Sequence, residues 1–387
     1  MIIQKIQNFW QTYISKKLDT FNLIEVSRSA ILHNYDYFQM IQPNCQIWPV
    51  LKSNAYGHGL IQVAQILKQR KFAYIVVDSY YEALKVWQIT SQPVLLIGQS
   101  PSSNYKNFDF SRLAVVVYRL ETIQTLGNLG KHIRIHLKIN TGLNRQGIKV
   151  GEVKNFLKEL KKYPKLELEG VCSHLASSDD ESKNTTTFNQ KELFLRAIKI
   201  IKENGFTPKY FHLSNTGGTL RLEDNNTFNA VRLGLGLYGI SPFPPQDTKA
   251  SILEGLKPAL TFWSQIIHTI ELEKGDEVSY GGTFVADKKM TIGLLPVGYY
   301  EVFTRKMSNK GYVSFEGKYL PLIGNICMNL SLCNIDGQNI RTGDKIQIIS
   351  PEPFAKNSVY EIAKLNQTIP YEILVKIAEP IRRVVVD

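Results

Sequence analysis

Eight short runs rich in β-branched and apolar residues mark the first two-thirds of the chain, and they constrain its fold more than any other feature. They read CQIWPVLK (45–52), FAYIVV (72–77), PVLLIG (93–98), LAVVVY (113–118), IRIHLKIN (133–140), LELEGVCSH (166–174), YFHLSN (210–215) and AVRLGLGLYG (230–239). Several of the segments between them, IQVAQILKQR and NQKELFLRAIKIIKENG among them, carry apolar residues at helical spacing, and the second stops on Asn-Gly. Strands that alternate with helices pair in parallel through crossover connections. Eight such units are the number that closes a (β/α)8 TIM barrel, in which functional residues sit at the C-terminal ends of strands. An open doubly wound sheet is the competing arrangement.

The alternation stops at ISPFPPQDT (240–248), a proline-rich linker. Beyond it come FWSQIIHTI, MTIGLLPVG and KIQIIS, short strands with turn signals, and a late helix near 358–366. The expected organisation is α/β: a helical extension over 1–21, a barrel over 22–241 with 22–27 as a preceding strand, and a mainly β domain over 242–387.

Bulk properties describe an ordinary globular protein, with 43% hydrophobic and 21% charged residues. The formal net charge of +12 comes from dispersed basic pairs such as Lys161–Lys162 and Lys288–Lys289 rather than from a block, so the pattern argues against nucleic acid. No run of 18 apolar residues is present, so no membrane span is expected. Cys45, Cys172, Cys327 and Cys333 show no C-x-x-C spacing and no metal-finger rhythm; three lie in apolar runs, as reduced thiols of a cytoplasmic protein would. The first 17 residues place Ile3, Ile6, Trp10 and Tyr13 at helical spacing without a signal peptide's apolar core, which suggests an extra helix packed on the body, with transient membrane contact the weaker reading.

The chemistry concentrates at strand ends. In VLKSNAYGHG (50–59) a buried run ends on Lys52, although lysine is seldom buried without a partner. A salt bridge, a phosphate clamp or a Schiff base to an aldehyde cofactor would each explain it. Tyr56 follows four residues on; HLSNTGG (212–218) offers the Thr216 hydroxyl, and RLGLGLYG (232–239) offers backbone N–H groups at Gly234 and Leu235 beside Arg232. These last two are the ends of the seventh and eighth strands, where barrels commonly hold phosphate. Lysine at one strand end and an anion cradle opposite suggest pyridoxal phosphate.

VLKSNAYGHG resembles the cofactor signature of the alanine racemases, V-x-K-A-N-A-Y-G-H-G, and the likeness runs from about residue 22 to 384. IHLKINTGLNRQG, EGVCSHLASSD, HLSNT, VRLGLGLYG, VSYGGTF, LPVGY, GNICMN and TIPYE follow in family order. The resemblance implies a barrel followed by a β domain, a head-to-tail homodimer with shared sites, and pyridoxal 5'-phosphate as cofactor. It implies interconversion of L- and D-alanine by two bases, in the cytoplasm, with D-alanine going to peptidoglycan. By it, Lys52 would carry the cofactor and act as one base, and Tyr280 from the partner subunit would be the other. Tyr56, Thr216, Gly234, Leu235 and Tyr371 would hold the phosphate, and His174 would stack near the ring. Arg232, supported by His212, would meet the pyridine nitrogen. Arg145 and the backbone of Met328 would take the substrate carboxylate, with Lys138 carbamylated to orient Arg145. Read alone, Tyr280 is an edge-packed tyrosine, Met328 core, Arg145 surface and Lys138 a solvent-facing strand end.

The chain departs from the family pattern at Asn140 (usually Asp in K-x-D-T-G), at Asn329 (usually Asp after Met), at Tyr300-Glu301-Val302 (commonly Ala-Asp-Gly) and at PIRR near the C-terminus. These changes bear on substrate breadth. A racemase of other or several amino acids, a decarboxylase of the related barrel class, and a pyridoxal-phosphate-binding protein without racemase activity are the remaining readings.

Overall fold

The computed structural model describes residues 18–222 and 227–387, and the helix expected over 1–21 falls largely outside them. The described chain divides into two units: Val26–Ala259 with Val385–Asp387, and Leu260–Val384 with residues 18–25.

In the first unit each of the eight apolar runs is a strand: Gln46–Pro49, Ile75–Val77, Val94–Leu96, Leu113–Val117, Ile133–Asn140, Leu166–Cys172, Tyr210–His212 and Ala230–Leu233. From the second to the seventh, neighbours pair in parallel in sequence order. The eighth pairs in parallel with the first, Val231 opposite Ile47. The two remaining seams are closed by a Val50–Val76 bridge and by the bonds Asn229 N–H to Phe211 O (3.2 Å) and Arg232 N–H to Ser214 O (3.1 Å). A closed sheet covered by helices is buried on both faces, and so its strands read as continuous apolar runs.

The helices follow from local chemistry. Ser79 and Glu82 form a reciprocal capping box at the start of Tyr80–Trp87. The 20-residue helix Asn184–Glu203 buries Thr187, Gln190, Phe194, Ala197, Ile198 and Ile201, a single stripe. The proline-rich 240–248 stretch groups with the barrel unit, where Asp247 meets Arg221 at 2.5 Å in a fully buried ion pair.

The second unit is mainly β. Eight of its strands form a nine-stranded sheet together with Leu23–Ser27, which lies between Leu260–Gln265 and Arg382–Val386, while Glu277–Val278 and Phe284–Val285 pair separately. One core cluster gathers Leu272, Val278, Ala286, Met290, Ile292 and Ile323. The late helix is Val359–Asn366, capped by the Ser358 hydroxyl, which accepts from Glu361 N–H. Among the described residues, no helix is long and apolar enough to cross a membrane.

Candidate active site

Lys52 is half-buried and begins a turn of reversed hand. Ser53, Asn54, Ala55 and Tyr56 all have positive φ, between 52° and 55°. Left-handed conformation costs an L-residue roughly 1–2 kcal/mol, so four in a row persist only if their surroundings hold them. Ser53 N–H donates to Glu82 Oε1 at 2.6 Å, and Asn54 Oδ1 accepts from Leu60 N–H at 2.9 Å. The Tyr56 ring lies 5.0 Å from that of Tyr238, whose hydroxyl donates to Val50 O at 2.7 Å. Gly57 (φ 80°) and Gly59 (φ 96°) carry the chain out of the turn, which accounts for the two glycines of YGHG.

Opposite this turn, Thr216 opens the helix Thr216–Arg221, and its Oγ1 accepts from Gly236 N–H at 3.1 Å. A Cβ at Gly234 would stand 2.7 Å from the Tyr56 hydroxyl oxygen, so glycine there lets that hydroxyl approach the backbone closely. Burial pushes the Tyr56 phenol up to about 12, which keeps it a neutral donor. Tyr56, Thr216, Gly234 and Leu235 are thereby buried close together, with the Tyr56 hydroxyl against Gly234 and the Thr216 hydroxyl against Gly236 N–H. Residues 234–239 have G-x-G-x-x-G spacing, but they lead into the 3-10 turn Leu235–Tyr238 and no strand–helix–strand unit follows.

Arg232 is buried and clamped. Its Nη1 donates to His212 Nδ1 (2.7 Å) and His212 O (2.6 Å), and its Nη2 to Ser173 O (2.7 Å), Leu213 O (3.0 Å) and His174 Nδ1 (3.3 Å). Burial, with Arg232, Lys138, Arg145 and Lys52 nearby, holds His174 well below the usual imidazole range, so it is neutral. Lys138 is only 8% exposed, not the solvent-facing lysine its strand-end position suggests alone. Its Nζ donates to Gln146 Oε1 at 2.7 Å. Burial brings it down to about 8, helped by the positive charges of Arg232, Arg145 and Lys52. Arg145 sits on an exposed loop that Asn140 organises: Asn140 Oδ1 accepts from Gly142 and Asn144 N–H, each at 3.1 Å. The amide therefore makes these loop contacts without a carboxylate.

Tyr280, Met328 and Tyr371 belong to the other unit. Tyr280 is 70% exposed, against the edge-packed reading, while its carbonyl accepts from Asn325 Nδ2 at 2.7 Å. Met328 is 57% exposed rather than core, and its carbonyl accepts from Tyr300 N–H at 2.9 Å. Tyr371 lies half-buried on the helix Pro370–Val375. Asn329 and Glu301, read separately as departures, are partners: Asn329 Nδ2 donates to Glu301 Oε1 at 2.8 Å, and Gly298 N–H donates to Oε2 at 2.8 Å. Sequence reading did not single out Glu82, His136 or Glu169. Only the S-x-x-E capping pattern at Ser79 could have flagged the first.

The fold and these groups define a class: a closed barrel whose strand ends collect a half-buried lysine, a clamped arginine and two buried hydroxyls beside glycine backbone. Residues 26–242 match the family model "Alanine racemase, N-terminal domain", and residues 259–385 match "Alanine racemase, C-terminal domain". The chain belongs to the alanine racemase family. It is 33% identical to the alanine racemase of Leptospira interrogans over 96% of this chain and 98% of that protein, and 30% identical to that of Borreliella burgdorferi over 97% and 100%. Among solved structures it is similar to the Clostridium difficile alanine racemase (29% identity, TM-score 0.88, covering 96% and 97%). It is also similar to the Bacillus anthracis alanine racemase with bound L-Ala-P (29%, 0.87, 96% of each chain).

Proposed function

We propose that the chain is a pyridoxal-phosphate-dependent racemase that interconverts L- and D-alanine. The observation that carries this is the reversed turn presenting Lys52 in the same unit as the buried Tyr56 and Thr216 hydroxyls beside Gly234 and the clamped Arg232. Two hydroxyls and adjacent glycine backbone suit a phosphate. An amine near it suits an aldehyde, and neutral His174 suits stacking on an aromatic ring. When bound, the cofactor supplies an electron sink for negative charge at the amino acid's α-carbon.

The chain's own residues do the rest. Lys52 Nζ holds the cofactor and serves as base on one face of the α-carbon, with the Tyr280 hydroxyl of the partner subunit on the other. One takes the proton and the other returns one, which inverts the centre without any group crossing the plane. Arg232 presents a cation to the pyridine nitrogen and disfavours its protonation, which limits side reactions. Tyr56, Thr216, Gly234, Leu235 and Tyr371 hold the phosphate; Arg145 and the Met328 N–H hold the substrate carboxylate. Lys138, brought to about 8, has neutral amine available to add carbon dioxide with loss of a proton. The resulting carbamate is an anion that orients Arg145 by charge-assisted hydrogen bonds. The exposure of Tyr280 and Met328 supports a head-to-tail homodimer, and cysteines without a disulfide among the described residues fit a reducing cytoplasm in which D-alanine goes to peptidoglycan.

Borohydride reduction followed by peptide mapping should place the pyridoxyl group on Lys52, and a label on another lysine would overturn the assignment. A second reading, a racemase of several amino acids, is favoured by Tyr300, 53% exposed and bonded to the Met328 carbonyl. A panel of L-amino acids assayed for D-product separates the two.

A further inference from the structure

We propose that His136, Glu169 and Tyr74 are positioning residues for this reaction. They continue a one-way hydrogen-bonded chain from Arg232 through the barrel interior that fixes the guanidinium and offsets its charge. The proposal rests on the reading of Arg232 given above.

The chain is continuous. Arg232 Nη1 meets His212 Nδ1 at 2.7 Å, His212 Nε2 meets His136 Nδ1 at 2.8 Å, and His136 Nε2 meets Glu169 Oε2 at 3.1 Å. The Tyr74 hydroxyl donates to the same Glu169 oxygen. A guanidinium only donates and an ionised carboxylate only accepts, so the order of donors has one solution. His212 must accept at Nδ1 and carry its proton on Nε2; His136 must do the same. Burial lowers both imidazoles below their usual range, His212 far below, so each keeps a single proton. Glu169 is held below the usual carboxylate range by its bonds to His136 and Tyr74, in spite of its burial. A buried cation at one end and a carboxylate at the other thus polarise two neutral rings between them.

The barrel is built around this chain. Branched aliphatic residues usually dominate such interiors. Here Trp48, fully buried, packs 4.9 Å from His212 and 6.0 Å from His136 by ring centroids. A Cβ at Gly170 would fall 2.3 Å from His136 Nδ1, so that glycine makes room for the ring. The sixth strand shifts register against the fifth between Ile135 and His136, at the same level.

Histidine tautomers are readable by long-range 1H–15N NMR on protein labelled with 15N-histidine, with signals assigned by single-histidine substitutions. Both His136 and His212 should be protonated on Nε2 alone throughout the neutral pH range. A proton on Nδ1 of either, or an imidazolium, overturns the proposal. This measurement needs no cofactor: protein with the stated tautomers that fails to bind pyridoxal phosphate would sink the racemase reading and leave the chain standing. In the holoenzyme, Glu169→Gln should lower kcat roughly tenfold with KM for alanine within about twofold, as loss of a charged partner from a buried chain implies. The absorption band of the bound cofactor should shift as well. A folded Glu169→Gln holoenzyme with parental kcat and an unshifted band, differing only in melting temperature, would show a purely structural role.

Discussion

The barrel mouth and the β unit treat the side chains proposed for the site in opposite ways. Arg232, Lys138 and Tyr56 are buried, and the side-chain nitrogens of the first two are bonded to acceptors of their own unit. Tyr280 and Met328 are fixed through their backbones and leave their side chains in the open. On the proposed roles, a group that works inside its own chain is held by that chain, and one that reaches into a partner subunit is only presented. Substitutions should therefore act on folding and cofactor together in the barrel, and on turnover alone in the β unit.

The largest effect expected is on turnover. Tyr280→Phe should lower alanine racemisation by roughly a thousandfold, mid-range for a positioned proton-transfer group, while cofactor stays bound. Its unfolding free energy should stay within about 0.5 kcal/mol of the parent, as for an exposed position. Racemisation at the parental rate would end the two-base assignment. Mixing Lys52→Ala with Tyr280→Phe subunits should restore one intact site per heterodimer, read as recovered activity after subunit exchange. Arg232→Ala should do the reverse of Tyr280→Phe, costing about 3–5 kcal/mol in denaturant unfolding, because His212 Nδ1 and three carbonyls lose their donor in a buried place. If both variants changed stability equally, the contrast between the units would fail.

Gly234→Ala should have a smaller effect, on the cofactor and on stability together. The new methyl meets the Tyr56 hydroxyl, so affinity for pyridoxal phosphate should weaken by about tenfold in a fluorescence titration, roughly the 1–3 kcal/mol of an overpacked site. The smallest effect concerns Lys138 in buffer free of carbon dioxide. Its folded value, about 8, lies below the ordinary 10.5, so between those values the unfolded chain binds more protons than the folded one. Stability should rise with pH across that window, and Lys138→Met should flatten the rise. Added bicarbonate should remove it in the parent as well, because a carbamate has no amine to titrate. A carbamate carbon signal from protein grown with labelled bicarbonate gives the direct check.

Much of this was legible in the sequence. The eight barrel strands show as continuous apolar runs because both faces of a closed sheet are buried, and Lys52, Thr216 and Arg232 stand at or beside their ends. Pairings distant in sequence were not legible. His136 and Glu169 lie on neighbouring strands 33 residues apart, and nothing in either segment names the other. Asn329 and Glu301 each look like a loss when read alone, whereas their side chains bond to one another. The reversed hand of 53–56 was also hidden, since Ser, Asn, Ala and Tyr do not prefer it.

That reversed turn has a consequence for how the molecule opens. Its four residues favour the opposite hand whenever they are released, so the turn cannot be a seed of folding. It should form only after Glu82, which accepts from Ser53 N–H, has docked. The lysine it carries is thus presented by a patch of the barrel with its own, lower opening energy, and a ligand covalently tied to that lysine would hold the patch shut. Amide hydrogen exchange at Ser53 and Leu60 should therefore slow when the cofactor is loaded, far more than exchange in the strands behind them, and these two amides should report occupancy of the site before any turnover is measured.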